Sequence, residues 1–198
     1  MGGQADEALD DALRRARAGD ESGFLELWRE LQPRLLRYLR VQCGSGTEDI
    51  ASETWLQVVR DLPTFIGTAD GFRGWLFTIA RHRAIDVARA AASRPAVPVA
   101  DIGVVAGSAD RPATVRSAEG DALESISTAD AIALVKLLPP DQAEAVALRV
   151  IGGLDVAAVA EMLGKSAGAV RVNVHRGLRS LQEMSQQGKL PLESREVV

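Results

Sequence analysis

Four cations and no acid fall within residues 163–181: Lys165, Arg171, Arg176 and Arg179. Helical spacing puts Gly168, Arg171, Val172, His175, Arg176 and Arg179 on one side, because residues three and four apart share a face. Small residues at the start of that face let a helix come close to base edges. A guanidinium fork pairs with guanine O6 and N7 or with phosphate oxygens. Asn173 lies to the side, where a backbone contact suits it. The chemistry this pattern serves is recognition of a duplex polyanion, with a subset such as Arg171 and Arg176 reading bases and the rest positioning the helix. A solvated basic helix is the alternative that the residues alone leave open.

Two short helices and a sharp turn are needed to present that face, and residues 154–181 spell them out. Asp155 is an N-cap, and Leu154 can staple onto Val159. The first helix buries Val156, Val159, Ala160 and Leu163, and Gly164 supplies the permissive backbone that ends it. Ser166 caps the second helix, whose buried stripe is expected to be Val170, Val174, Leu178 and Leu181. This is a helix-turn-helix outline. Upstream, Ile132, Val135 and Leu138 form a short apolar face that stops at Pro139-Pro140. Ala143, Val146, Ala147 and Val150 form the next, which stops at Gly152-Gly153.

A second basic run lies in residues 72–94, where Arg73, Arg81, Arg83, Arg89 and Arg94 face Asp86 alone. Phe72, Trp75, Leu76, Ile79 and Val87 define the helix that carries it. His82 and Asp86, four apart, suit a local helix pair. Before it comes a loop, Thr64 to Gly71. Earlier still, Phe24, Leu27, Trp28, Leu31, Leu35, Tyr38 and Leu39 recur at helical spacing around Pro33, where a kink is expected. Gly44-Ser45-Gly46 ends that helix. Thr47 caps the next, with Ala51, Trp55, Val58, Val59 and Leu62 as its core stripe and Pro63 as its stop. Opposite the stripe Asp49, Glu53 and Gln57 fall at intervals of four. That ridge reads as either an ordinary solvated face or a docking surface for a basic partner.

Composition narrows the function classes. The 198 residues are 46% hydrophobic with a net charge of −4, which disfavours a protein that coats nucleic acid indiscriminately. No stretch approaches the roughly 18 apolar residues of a membrane span. The acidic start of the chain lacks the basic-then-apolar order of a secretion signal, so no membrane insertion and a cytoplasmic location are expected. Cys43 is the single cysteine and reads as a half-buried apolar residue. With only His82 and His175 as possible helpers, no metal site is expected. Without a glycine-rich phosphate loop or a nucleophile–base pair, neither a cofactor nor enzymatic catalysis is expected. Residues 95–133 hold six acids against two bases and lack durable periodicity, apart from a short helix expected around Glu119 to Ile126. Such a length suits a linker between domains better than a loop within one.

Taken together, EDIASETWLQVVRDLPTFIG, FRGWLFTIARHRAIDVAR and LLPPDQAEAVALRVIGGLDVAAVAEMLGKSAGAVRVNVHRGLRSL resemble regions 2.2, 2.3–2.4 and 4 of the extracytoplasmic-function (ECF) group of sigma-70 RNA polymerase sigma factors. The resemblance implies an all-α protein of two small helical domains joined by a flexible acidic linker. Its expected parts are a variable N-terminal segment at 1–19, sigma region 2 at 20–94, the linker at 95–131, sigma region 4 at 132–183 and a polar tail at 184–198. It implies binding to the polymerase core through the β′ coiled coil and the β flap, binding to promoter DNA, and control by an anti-sigma factor. By the same resemblance Asp49, Glu53 and Gln57 would contact polymerase. Phe65, Phe72, Arg73, Trp75, Arg81, Arg83, Asp86 and Arg89 would lie at the −10 element. Ser166, Gly168, Arg171, Val172, Asn173, His175, Arg176 and Arg179 would lie at the −35 element. Trp75 shares helical phase with Leu76 and Ile79, so a place in the core competes with a stacking role. The chain departs from the family in carrying His82 where asparagine is common, and Gly168-Ala169 where glycine-threonine is common. A helix-turn-helix regulator acting without polymerase, or an interaction adaptor, is the alternative.

Overall fold

The structure, a computed structural model, describes residues 2–43, 46–92 and 128–187. The short helix expected at Glu119–Ile126, nearly all of the linker, and residues 188–198 lie outside the described residues. Among the described residues eight α-helices follow in order: α1 Gly2–Arg17, α2 Glu21–Gln42, α3 Thr47–Asp61, α4 Ala69–Ala92, α5 Thr128–Lys136, α6 Pro140–Val146, α7 Val156–Leu163 and α8 Ala167–Gln186. A 3₁₀ turn, Leu62–Thr64, follows α3, and α6 runs on into a π-helical turn, Ala147–Ile151. No strand occurs among the described residues.

Helix α2 is the axis of the fold. Leu27, Leu31, Leu35, Tyr38 and Leu39 are each 0% exposed, and they lie on both sides of Pro33. An interior proline costs about 3 kcal/mol, whereas each fully buried side chain of this size returns about 1.5–3 kcal/mol. Burial therefore carries the helix through Pro33 without a break. Asp20 caps its start by accepting from Ser22 N at 2.9 Å. Trp28, expected in the stripe, is instead 40% exposed.

Helix α1, expected only as a variable segment, packs along α2 through Leu9, Ala12, Leu13 and Ala16. The two helices cross at Gly23. A Cβ there would stand 2.7 Å from Ala12 O and 2.8 Å from Ala16 N. Arg15 closes the α1–α2 turn, with Nη2 donating to Glu26 Oε2 at 2.7 Å and Nη1 to Ser22 Oγ at 3.0 Å.

Helix α3 starts after Gly46, which takes a left-handed φ of 72°. Thr47, expected as the cap, is the first helical residue and is buried. Ala51, Trp55, Val58 and Leu62 face the core as expected. Val59 does not, because one position beyond Val58 turns it toward solvent. Helix α4 begins at Ala69, three residues before the expected Phe72, which shortens the preceding loop to Phe65–Thr68. Val87 lies beyond the packed part of α4 and is exposed.

The second set of helices packs onto the first. Ala147, Leu148, Leu154, Val159 and Val170 join the apolar cluster built on α2, α3 and α4, and the Phe77 ring lies against the Gly152 backbone. A smaller cluster unites Val135, Leu138, Ala143 and Val146 with Leu181 and Met184. Gly177 lets α8 lie close on α6, since a Cβ there would be 2.6 Å from Val146 Cγ2. The buried stripe of α8 therefore runs through Val170, Val174, Gly177 and Leu181, and Leu178, expected within it, is turned outward. Val150, at the π turn, is likewise exposed.

Candidate nucleic-acid interface

The helix-turn-helix forms from the signals its sequence carries. Asp155 Oδ1 accepts from Ala158 N at 2.7 Å, Gly164 takes φ 62°, and Ser166 Oγ accepts from Ala169 N at 3.1 Å. Val159 and Val170, both fully buried, lock α7 to α8. The outward side of α8 then presents Gly168, Arg171, Val172, His175, Arg176 and Arg179, all exposed, with Asn173 half-buried beside them. Arg179 Nε donates to Glu183 Oε1 at 3.0 Å, and Lys165 pairs with Asp141 at 2.6 Å. Arg171 and Arg176 have no hydrogen-bond or ion-pair partner among the described residues. Ser166 spends its acceptor on the cap and keeps its hydroxyl proton to donate. A helix end and two unpaired guanidiniums on one open face suit a phosphate-lined groove.

The α3 ridge is present too. Asp49 and Glu53 are exposed and Gln57 is half-buried. Leu56, 71% exposed, and Val59, 53% exposed, lie beside them, so the surface mixes acid with apolar area. Leu56 was missed from sequence, although its spacing of three from Glu53 places it on the same face. Arg83 belongs here rather than with the other α4 cations. Its Nη1 donates to Glu53 Oε2 at 2.6 Å and its Nη2 to Gln57 Oε1 at 3.0 Å.

The remaining residues expected at the −10 element divide into three groups. Phe65 stacks on Trp75 at 5.0 Å between centroids and meets Phe72 edge-on at 5.6 Å. Phe72 is 0% exposed and so serves the core, whereas Phe65 and Trp75 are half-buried at the rim of the loop. Ile66, unmarked by the sequence reading, projects from the loop at 87% exposure. Arg73 is held by Asp70 at 2.5 Å and Asp6 at 3.5 Å, with its side chain only 11% exposed. Arg81 Nε donates to Glu144 Oε1 at 2.8 Å across the two sets of helices. Asp86 and Arg89 are exposed near the end of α4, and no bond joins Asp86 to His82. Asp6 and Glu144 come from elements 67 and 63 residues from their partners, a separation at which local spacing carries no signal.

Between α4 and α7 lies a cleft of about 630 Å³, lined by residues including Arg73, Thr78, His82, Asp155 and Glu161. The α4 surface is thus covered in part, while the α8 surface is open. Burial pushes the Tyr38 hydroxyl well above its ordinary value, with Glu144 adding to the rise and Arg81 opposing it. Burial likewise raises the Cys43 thiol, as suits the apolar role expected of it. No group of three or more metal-ligating side chains occurs among the described residues, and none of their helices is long and apolar enough to cross a membrane.

The Sigma-70 region 2 model matches residues 27–94, and the Sigma-70, region 4 model matches residues 129–181. The chain is 32% identical over 176 residues to the ECF RNA polymerase sigma factor BldN of Streptomyces coelicolor, covering 88% of this chain and 64% of that one. It thus spans less than two thirds of that relative's length. It is 34% identical over 185 residues to the ECF RNA polymerase sigma factor ShbA of Streptomyces griseus, covering 88% and 94%. Among solved structures it is similar to the sigma factor RpoE of Bartonella quintana, crystallised with the anti-sigma factor NepR. That likeness has a TM-score of 0.57 and 22% identity, and covers 82% of this chain and 96% of that one.

Proposed function

The chain belongs to the sigma-70 family, within its ECF group of RNA polymerase sigma factors, and from that premise we propose how its surfaces divide the work of promoter recognition. The role is non-enzymatic initiation of transcription in the cytoplasm, where polymerase and DNA are found. The chain binds polymerase core, brings it to particular promoters and assists strand opening. The α3 ridge of Asp49, Glu53 and Gln57, widened by Leu56 and Val59, docks on the β′ coiled coil, and Arg83 holds two of its side chains in place. Helix α8 lies in the major groove at the −35 element, and its neighbours touch the β flap. The Phe65–Thr68 loop with Trp75, Arg73, Arg81, Asp86 and Arg89 receives the unpaired −10 strand.

The observation that carries this reading is the open face of α8, where Arg171 and Arg176 stand exposed and unpaired. Solvated cations without a structural partner are poised for an anion. Opening duplex DNA costs a few kcal/mol for each disrupted step, which neither helical set offsets alone. Joining both on polymerase supplies the second contact at high effective concentration. An anti-sigma factor is a natural partner for the exposed apolar residues of α3, and a solved neighbour of this fold is held by one.

Reconstitution with core polymerase on a promoter library tests the reading, by start-site selection and strand opening. Replacing Asp49 and Glu53 together with alanine should weaken core binding about tenfold or more, as for loss of two partly exposed charge contacts, with folding intact. Unchanged core affinity in the folded double variant removes the docking face from the proposal. A chain that neither binds core nor directs initiation removes the whole of it. A helix-turn-helix regulator acting alone predicts the opposite pattern, tight promoter binding without polymerase.

A further inference from the structure

Helix α1 carries two carboxylates one turn apart, Asp6 and Asp10, and both reach the start of α4. Asp10 Oδ1 accepts from Ala69 N at 2.5 Å. Asp6 Oδ1 accepts from Arg73 Nη2 at 3.5 Å. The amino end of α4 also receives Thr68 Oγ1, which accepts from Gly71 N at 3.4 Å, but Ala69 N, the first amide of the helix, is taken by α1. A carboxylate at that position satisfies an orphan donor and sits well against the positive end of the helix dipole.

The anchorage of α1 is rigid enough to make this contact directive. Leu9, Ala12, Leu13 and Ala16 bury one side of it. The Gly23 crossing brings backbone to backbone, and Arg15 ties its end to α2. The position of α4's first turn is therefore set from α1, and with it the last residue of the Phe65–Thr68 loop. Arg73, one turn further along, is fixed from the same side. Its guanidinium is clamped between Asp6 and Asp70, and its Nε is buried without a hydrogen-bond partner.

We propose that Asp6 and Asp10 are positioning residues for capture of the −10 strand: they set the amino end of α4, the adjoining loop and Arg73 in the geometry that receives an unpaired base. Neither needs to touch DNA. Asp10 acts through a hydrogen bond to Ala69, and Asp6 through the charge on Arg73. The inference rests on the assignment of this loop to the −10 strand, and it gives the first 19 residues a part in promoter selectivity.

The test uses the full chain with core polymerase, comparing the parent with Asp10→Ala, Asp10→Asn and Asp6→Ala. Core affinity, thermal midpoint, open-complex lifetime and the base preference at each −10 position are measured. Asp10→Ala should keep core affinity within about twofold and shorten the open complex about five- to tenfold, the equivalent of losing one helix cap. Its −10 preferences should flatten while −35 preferences hold. Asp10→Asn, which still accepts the Ala69 hydrogen bond, should restore most of the preference. Asp6, whose side chain is 51% exposed, can be replaced with little risk to folding, and Asp6→Ala should move the same readouts by about two- to threefold, as for one weakened surface pair. A general loss of stability would lower −10 and −35 selectivity together. Unchanged −10 preferences and lifetimes in folded Asp10→Ala and Asp6→Ala overturn the proposal, while a parent chain that fails to initiate overturns the sigma-factor reading on which it rests.

Discussion

Replacing Gly23 with alanine gives a magnitude that can be worked from three distances. The added Cβ would stand 2.7 Å from Ala12 O, 2.8 Å from Ala16 N and 2.8 Å from Arg15 Cβ. Carbon in ordinary contact sits at about 3.5–4.0 Å, so α1 must retreat by nearly an ångström, and none of the three atoms can rotate away. Overpacking of this kind costs about 1–3 kcal/mol. The compensation is the helix propensity of alanine over glycine, about 1 kcal/mol at most in a helix interior and less at the third residue of α2. The net is a loss of about 1–2 kcal/mol, or several degrees in thermal midpoint for a chain of this size. Gly74→Ala is the matched control. It too lies in a helix, yet nothing stands within 4 Å of its Cβ, so it should gain about 0.5–1 kcal/mol from the same propensity term. Urea denaturation of the three proteins reads both numbers, and proteolysis of α1 reports whether that helix has loosened. If Gly23→Ala is as stable as the parent, or if both variants shift in the same direction, the close crossing does not hold α1 as described.

Other outcomes follow from the caps and from the α8 face. Arg176→Ala should cost about 1–3 kcal/mol at one −35 position if its fork reads a base, seen as relaxed preference there in a promoter library; a uniform fall across all sequences would make it a phosphate contact. Arg179, already paired with Glu183, should matter less on replacement. Asp20 gives a pH signature. Hydrogen bonds from the Ser22 hydroxyl and amide, with Arg15 nearby, hold its carboxyl below the usual value of 3.8. A depressed folded value means that its stabilisation is complete above the unfolded value and drains away as pH falls through the folded one. Asp20→Asn should therefore lose less stability than the parent on acidification below about pH 4, in denaturation midpoints taken between pH 2 and 7. Equal acid slopes would separate Asp20 from the acid limb.

What the sequence made legible is mostly short-range. Asp155, Gly164 and Ser166 announce the helix-turn-helix because caps act within three or four residues, and each made its expected bond or conformation. The α3 ridge was legible for the same reason. Phase errors arose where two apolar residues adjoin, as at Val58-Val59, since periodicity cannot say which of them the partner helix covers. Leu178 was misplaced because Gly177, with no side chain, is what faces Val146. Pro33 signals a local disturbance, and burial on both sides of it keeps the helix continuous through that point. Helix α1 has helical spacing at Leu9, Ala12, Leu13 and Ala16, but the stripe is short, half alanine and set among acids, and the glycine at its crossing with α2 carries no apolar signal. The partners of Arg73, Arg81 and Arg83 were hidden because Asp6, Glu144 and Glu53 lie 67, 63 and 30 residues away.

Those three arginines are already neutralised within the chain. Each carries a counterion that is part of the chain, whereas Arg171 and Arg176 rely on ions from solution. A cation that neutralises a phosphate frees a cation condensed on the DNA, so affinity falls by close to one power of salt concentration for each phosphate neutralised. A paired arginine must first give up its carboxylate, so it gains less from a phosphate than an unpaired one does. On the proposed reading, Arg171 and Arg176 of α8 therefore supply the stronger, salt-sensitive attraction to duplex DNA, while Arg73 and Arg81 on α4 exchange one anion for another.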